Sequence, residues 1–160
     1  MNEVFVNMGQ IAVLKGSGIL TTVGLGSCVG VSLYDPIAKV GVLAHIFLAE
    51  SRSNDDRLNT PGKYADTAIP AMIEAAVKQG ACKERMVAKL AGGAHLFSDV
   101  SPVSFHVGTR NVEAVVNQLT IADIPIVGKD VEGKRSRKMR FFIDSGIVIV
   151  TSVGQEPKQI

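Results

Sequence analysis

The sequence predicts an α+β fold in a single domain. Two nearly continuous apolar runs, residues 28–34 and 40–48, are joined by turn residues 35–38 and predict a hairpin buried on both faces. An apolar stripe over residues 64–79 predicts a helix that stops at Gly80, and residues 111–120 predict a second helix. Strand-like segments lie both before and after these elements, which favours a mixed rather than an all-β fold.

The remaining elements are short and lie in the following order. Residues 4–6, 11–14 and 19–23 predict strands, and the glycine-rich residues 24–27 predict a loop that ends at Cys28. Residues 50–61 form a polar segment long enough to be either mobile or functional. Further strands are predicted at residues 86–90, 103–107, 124–128, 138–143 and 147–153. No repeat or linker interrupts residues 1–160, so one domain is expected.

Composition excludes several classes of partner. Apolar residues make up 46% of the 160 residues, which is typical of a globular chain, and the net charge of +2 does not indicate a polyanionic partner. Aromatic residues make up 5% and Trp is absent, so a base-stacking nucleic-acid surface is not expected. The longest apolar run, residues 40–49, is about half a membrane span. We therefore expect a soluble, cytoplasmic protein without membrane insertion.

The sequence contains no recognisable metal-binding or cofactor-binding motif. The two cysteines and three histidines do not have metal-ligand spacing, and the glycines near residue 24 fit neither a dinucleotide fingerprint nor a phosphate-binding loop. Ser27 lacks the flanking glycines of a nucleophile elbow. Residues 25–28 resemble a lipoprotein cleavage box, but no basic start or long apolar stretch precedes them. No metal and no organic cofactor is expected.

Cys28 is a candidate nucleophile because a glycine-rich loop leads directly into it. Glycines leave the backbone uncrowded beside the sulfur, and free N–H groups of Gly26 and Ser27 could bind an oxyanion. The alternative is an ordinary buried cysteine of the core.

His45 is the candidate general base. If residues 35–38 form the hairpin loop, Tyr34 pairs with Lys39 and Cys28 lies directly opposite His45 on the same face. A slip of one residue would place the two side chains on opposite faces. A core histidine bonded to backbone is the alternative.

A third member could orient the imidazole. Thr21 and Thr22 end the strand before the glycine loop, and either hydroxyl could hold the distal ring nitrogen of His45. The other polar features are interpreted as structural or exposed: the basic residues 134–140 as the solvent face of a strand, Cys82 as structural, His95 as an exposed loop residue, and His106 as a strand residue without a partner.

Several segments together resemble the CheD family of bacterial chemoreceptor glutamine deamidases. They are Gly24-Leu25-Gly26-Ser27-Cys28-Val29-Gly30-Val31, Asp35-Pro36, Ala44-His45-Ile46, Tyr64-Ala65-Asp66, Gly92-Gly93-Ala94, Gly108-x-x-Asn111, and Asp130-x-x-Gly133 through to Phe141. The resemblance covers most of the chain, and its most specific part is Gly-Ser-Cys followed by His45.

The resemblance implies a Cys28, His45 and Thr22 triad, with Thr22 favoured over Thr21 by its spacing from the cysteine. It implies a layered sandwich of mixed β-sheets flanked by helices, similar to the cysteine hydrolase cytotoxic necrotizing factor. The implied substrates are glutamines of methyl-accepting chemotaxis receptors, and the implied regulator is a CheC-type phosphatase. Ala49 and Ser136 depart from the family pattern. Both lie away from the proposed catalytic residues, so these departures bear on loop shape and partner contacts more than on catalysis.

Two rival functions remain open. One is a non-catalytic chemotaxis adaptor that binds a CheC-type phosphatase or a receptor. The other is hydrolysis of receptor methyl esters by the same pair of side chains.

Overall fold

The computed structural model describes residues 2–96 and 106–160. Their strands are β1 (Glu3–Phe5), β2 (Ile11–Lys15), β3 (Ile19–Leu25), β4 (Val29–Asp35), β5 (Val40–Ile46), β6 (Val87–Gly92), β7 (Ile126–Val131), β8 (Arg137–Phe142), β9 (Val148–Thr151) and β10 (Lys158–Gln159). The α-helices are α1 (Asn54–Asn59), α2 (Ala65–Lys78) and α3 (Val107–Ile121), and short 3-10 turns cover Pro61–Lys63 and Lys83–Arg85.

The strands form two mixed sheets. The first sheet has the order β1-β3-β8-β9-β10, and the second has the order β2-β5-β4-β6-β7. Pairs β1–β3 and β6–β7 are parallel, whereas the other neighbours are antiparallel. The predicted layered α+β sandwich of mixed sheets and helices is therefore confirmed.

Both faces of the central β4–β5 hairpin are buried, as the continuous apolar runs predicted. On one face Val31, Val42 and Ala44 pack in a core that also contains residues of α2 and α3. On the other face Tyr34 and Leu43 pack in a second core with residues of β3 and β8. The described residues thus form three layers, which are the helices, the second sheet and the first sheet. Every second side chain of the hairpin points into the core between the two sheets.

Helices α2 and α3 cover the outer face of the second sheet. The predicted stripe of α2 is buried at Ile69, Met72 and Ala76, but Val77 is 47% exposed and lies off the stripe. Helix α3 begins at Val107, one turn before the predicted start. Of the predicted strand at residues 103–107, residues 103–105 lie outside the described part of the chain, and Val107 is helical.

One predicted surface segment is partly buried. The pattern of basic residues 134–140 predicts the solvent face of a strand, but Arg137 is only 8% exposed. Its Nε atom lies 3.1 Å from Asp130 Oδ2, and its Nη1 donates to the Gly92 carbonyl at 3.3 Å. Arg137 can be buried because its charge is compensated by Asp130 and by carbonyl acceptors.

Candidate active site

The loop at residues 24–28 carries the cysteine from the first sheet into the second. Gly24 has φ of 69°, a conformation that favours glycine, and β3 is irregular between Thr22 and Leu25. The end of β6 holds the loop, because Gly93 N donates to Cys28 O and Ala94 N donates to Gly26 O, each at 2.8 Å. The backbone directly after β6 thereby fixes the loop that leads to Cys28.

The thiol of Cys28 is nearly covered. Cys28 is 8% exposed, and its Sγ atom lies 4.0 Å from the Sδ atom of Met8. Burial raises the pKa of the thiol, while the backbone N–H of Cys28 itself lowers it by favouring the thiolate. Because burial is the larger effect, the resting cysteine is a neutral thiol at neutral pH.

His45 is 4% exposed, and its ring is held from the opposite sheet. Its Nδ1 atom lies 2.7 Å from Thr22 Oγ1, and the same hydroxyl donates to the Val6 carbonyl at 2.6 Å. A hydroxyl has one proton, and a carbonyl can only accept. Thr22 must therefore accept from Nδ1–H of His45, which leaves Nε2 unprotonated and able to act as a base. Burial also lowers the pKa of His45, so the neutral ring is favoured.

The structure separates the two candidate threonines. Thr21 Oγ1 donates to the Glu3 carboxylate at 2.6 Å, whereas Thr22 Oγ1 contacts His45. Adjacent strand residues point to opposite faces, so only one of the two can reach into the layer between the sheets. The structure brings Thr22, and not Thr21, to the imidazole.

The predicted hairpin register is wrong by two residues. Gly30, and not Cys28, lies directly opposite His45, and the ladder ends toward the turn at Asp35 and Val40. The reason is that Asp35 belongs to β4, where its carboxylate accepts from the N–H groups of Ile37 and Ala38 and closes the turn.

A displacement of two residues keeps the same face. Cys28 precedes Gly30 by two positions and lies in the intersheet core. It is thus a diagonal neighbour of His45, an arrangement in which Cα atoms are about 7–8 Å apart. A Cβ atom at Gly30 would lie 2.9 Å from Met139 Sδ, so a larger residue opposite His45 would require the side chains of the intersheet core to shift.

Two other histidines do not match their predictions. His95 is not an exposed loop residue, because its side chain is 16% exposed and its Nε2 lies 2.8 Å from Thr109 Oγ1. His106 is not in a strand: it precedes α3, and its ring centroid lies 4.8 Å from that of His95. Within residues 2–96 and 106–160, no group of three or more His, Cys, Asp or Glu side chains is arranged to hold a metal ion.

Residues 47–152 match the family model described as CheD chemotactic sensory transduction. The chain is 42% identical over 149 residues to "Chemoreceptor glutamine deamidase CheD" of Thermotoga maritima, covering 93% of this chain and 91% of that relative. It is 44% identical over 156 residues to "Probable chemoreceptor glutamine deamidase CheD" of Caldanaerobacter subterraneus, covering 97% and 96%.

The chain belongs to the CheD family. A relative with the same "probable" name from Moorella thermoacetica is 41% identical over 160 residues and covers 99% of this chain, so the likeness includes the loop at residues 24–28 and β5. No helix in the described part of this CheD-family chain is long and apolar enough to cross a membrane.

The sequence assigned no role to two residues that contact the site of this CheD-family chain. Met8 contacts the thiol of Cys28, and no pattern around Met8 indicated this contact. Asn111 is 1% exposed, and its Nδ2 donates to the Ser27 and Phe47 carbonyls. The Gly108-x-x-Asn111 motif marked the second residue, but only as a part of the resemblance.

The predicted oxyanion donors lie at the expected loop, and their role stays a prediction. The N–H of Gly26 donates to Gly24 O at 3.0 Å, and the Ser27 carbonyl is held by Asn111. Beyond Asn111 is a cleft of about 260 Å³, lined by residues 48–52 and by Val107, Arg110 and Asn111 of α3. The first residues of the predicted polar loop therefore border this cleft.

Proposed function

We propose that this protein is a chemoreceptor glutamine deamidase that converts glutamine side chains of chemotaxis receptors to glutamate and releases ammonia. Membership of the CheD family and the names of the relatives support the reaction. The single observation that carries the mechanism is the buried contact of 2.7 Å between Thr22 and His45, on the sheet face where Cys28 lies. Residues 1–160 are proposed to form one catalytic domain.

The chemistry proceeds through a thioester. His45 Nε2 takes the thiol proton of Cys28 as the sulfur attacks the glutamine Cδ atom. The developing oxyanion is bound by backbone N–H groups of the loop, for which those of Cys28 and Ser27 are the candidates, because the N–H of Gly26 already donates to Gly24 O. Protonated His45 then gives its proton to the departing ammonia, leaving glutamyl bound to sulfur.

Hydrolysis of the thioester restores the enzyme. His45 takes a proton from water as the water attacks the same carbon, the carbon–sulfur bond breaks, and the thiolate recovers its proton. No metal and no organic cofactor has a role in either step. The product carries a new carboxylate, and this charge alters the receptor electrostatically.

The resting pair is neutral rather than an ion pair. Burial raises the pKa of the Cys28 thiol and lowers that of the His45 imidazole, so both charged forms are disfavoured before substrate arrives. The proton therefore moves during the attack, and Thr22 keeps the ring in the tautomer that can accept it.

A regulator and a compartment are also proposed from the family resemblance. A CheC-type phosphatase is proposed as the regulatory partner, and the cytoplasm, where receptor signalling domains lie, as the site of action. Binding of a purified CheC-type protein by titration calorimetry is expected, and the absence of any heat of binding contradicts that partner.

One assay distinguishes the proposed reaction from its rivals. The protein is incubated with the cytoplasmic fragment of a receptor in two forms, one with glutamine and one with glutamate methyl ester. Ammonia from the first form supports deamidation, and methanol from the second supports ester hydrolysis. Binding of the fragment without release of either product supports the adaptor and contradicts the proposed function.

A further inference from the structure

We propose that Asn111 is a positioning residue that holds the Cys28 loop against the strand of His45 and orients the Cys28 N–H for binding the oxyanion. This inference rests on the proposed function, because it assigns a role within the same site. Asn111 lies outside the proposed triad, on helix α3 of the outer layer.

The contacts of Asn111 lie where the β4–β5 ladder ends. The last pair of the ladder is Val29 with Ile46, and the same register would next hydrogen-bond Ser27 to Leu48. Instead Leu48 N donates to Lys63 O at 3.1 Å, and Leu48 O accepts from Ala65 N at 2.9 Å. The β4–β5 ladder therefore ends beside the cysteine, and no bond of this ladder reaches Ser27 O.

Asn111 bridges this gap with one nitrogen. Its Nδ2 atom donates to Ser27 O at 2.9 Å and to Phe47 O at 3.0 Å. An amide nitrogen has two protons, and both are used. Asn111 thus replaces a missing ladder bond, and it joins the residue before the proposed nucleophile to the residue two positions after the proposed base.

The hydrogen bond from Asn111 to Ser27 O also fixes the direction of the Cys28 N–H. The Ser27–Cys28 peptide is trans, so the Ser27 carbonyl and the Cys28 N–H point in opposite directions across one plane. Holding the carbonyl against α3 turns the Cys28 N–H away from the helix and toward its own sulfur. An N–H beside the attacking sulfur is placed to bind the oxyanion.

A close helix approach makes this contact possible. A Cβ atom at Gly108 would collide with the carbonyl oxygens of Gly93 and Ala94, so only glycine lets α3 start against this backbone. Gly108 and Asn111 are three residues apart and share one face of the helix. In the Gly108-x-x-Asn111 motif, Gly108 therefore allows α3 to approach the backbone of Gly93 and Ala94, and the Asn111 amide holds the loop.

The test replaces the amide and separates rate from folding. Asn111→Ala is compared with wild type and with Asn117→Ala, a matched control at an exposed position of α3. We expect kcat for the receptor fragment to fall about 100-fold in Asn111→Ala, with KM little changed, because misplaced groups act in the transition state. The control is expected to keep wild-type kcat. A folded Asn111→Ala with wild-type kcat overturns the proposal.

A second readout separates this inference from the proposed function. The rate of Cys28 alkylation by iodoacetamide is measured against pH in wild type, Asn111→Ala and His45→Ala. The profile of Asn111→Ala is expected to move toward that of His45→Ala, and a wild-type profile contradicts positioning. If wild type releases no ammonia, the proposed function fails, and the alkylation profiles still decide the role of Asn111.

If Asn111→Ala does not fold, Asn111→Gln is compared with wild type instead. Asn111→Gln keeps both donors on a longer arm, so it preserves the hydrogen-bonding groups but displaces the loop. Reduced kcat in folded Asn111→Gln supports positioning, and wild-type kcat in that variant contradicts it.

Discussion

The Nδ1 atom of His45 lies 2.7 Å from the hydroxyl of Thr22, which gives its only proton to the Val6 carbonyl. This chain of two hydrogen bonds crosses between the sheets and determines which ring nitrogen of His45 carries a proton. The proposed mechanism follows from it, because the nitrogen left free is the one that can take the proton of Cys28.

Removing the acceptor on Thr22 should reduce turnover. We expect Thr22→Val, which keeps the shape and loses the hydroxyl, to lower kcat about 10-fold or more, since the tautomer is no longer fixed. Thr21→Val is the matched control, because its hydroxyl contacts Glu3 instead. Equal kcat values for the two variants would contradict the role given to Thr22. Steady-state ammonia release on the receptor fragment measures both.

The pH dependence of turnover should reflect the neutral pair. His45 must be unprotonated to act, and burial lowers its pKa from the ordinary 6.5, so the acid limb of kcat/KM should lie below pH 6.5. An acid limb at or above pH 6.5, measured by ammonia release across pH, is inconsistent with the buried imidazole.

Stability should change in the same acid range. The pKa of His45 is lower in the folded state than in the unfolded state, so its contribution to stability is present above pH 6.5 and is lost as pH falls toward the folded value. His45→Gln should show a smaller loss of unfolding free energy in that range than wild type. Urea unfolding at several pH values measures the difference.

Met8 should control access to the thiol. Its Sδ atom lies 4.0 Å from Cys28 Sγ, and the cysteine is 8% exposed. We expect Met8→Ala to increase the rate of Cys28 alkylation, because a flexible cover is removed. Val23→Ala serves as a control at another exposed apolar side chain near the loop. An unchanged alkylation rate in Met8→Ala would show that the thioether does not shield the sulfur.

Asp35 should contribute to stability without contributing to catalysis. Its carboxylate accepts from Arg85, Cys82 N, Ile37 N and Ala38 N at the turn end of the hairpin, far along β4 from Cys28. We expect Asp35→Ala to lower the unfolding free energy by about 2–3 kcal/mol, since buried donors lose their acceptor and Arg85 is partly solvated. Urea unfolding measures the loss. A large fall in kcat of the folded variant would contradict this separation.

The sequence was sufficient for the parts of the site that lie on one hairpin. Alternation along β4 and β5 predicted that Cys28 and His45 share a face, and this holds because the register error was an even number of residues. The error itself came from Asp35, whose side chain closes the turn from within the strand. Apolar pattern alone does not reveal such a side-chain hydrogen bond.

Contacts between layers were beyond prediction from residue pattern. Thr21 and Thr22 are chemically equal, and only the packing of the first sheet on the second decides which one meets His45. Asn111 reaches the loop because Gly108 lets α3 approach Gly93, a relation among three distant segments. Arg137 of β8 can be buried because it forms an ion pair with Asp130 of β7, which belongs to the other sheet. Each depends on tertiary packing rather than on local periodicity.

The most direct test of the central claim compares the two cysteines. Cys28→Ala and Cys82→Ala are each incubated with the glutamine form of the receptor fragment, and the fragment is analysed by mass spectrometry for conversion of amide to acid. Cys82 is partly exposed and its sulfur contacts Glu84, so it is a matched thiol away from His45. We expect full conversion with Cys82→Ala and none with folded Cys28→Ala. Conversion by Cys28→Ala would contradict it.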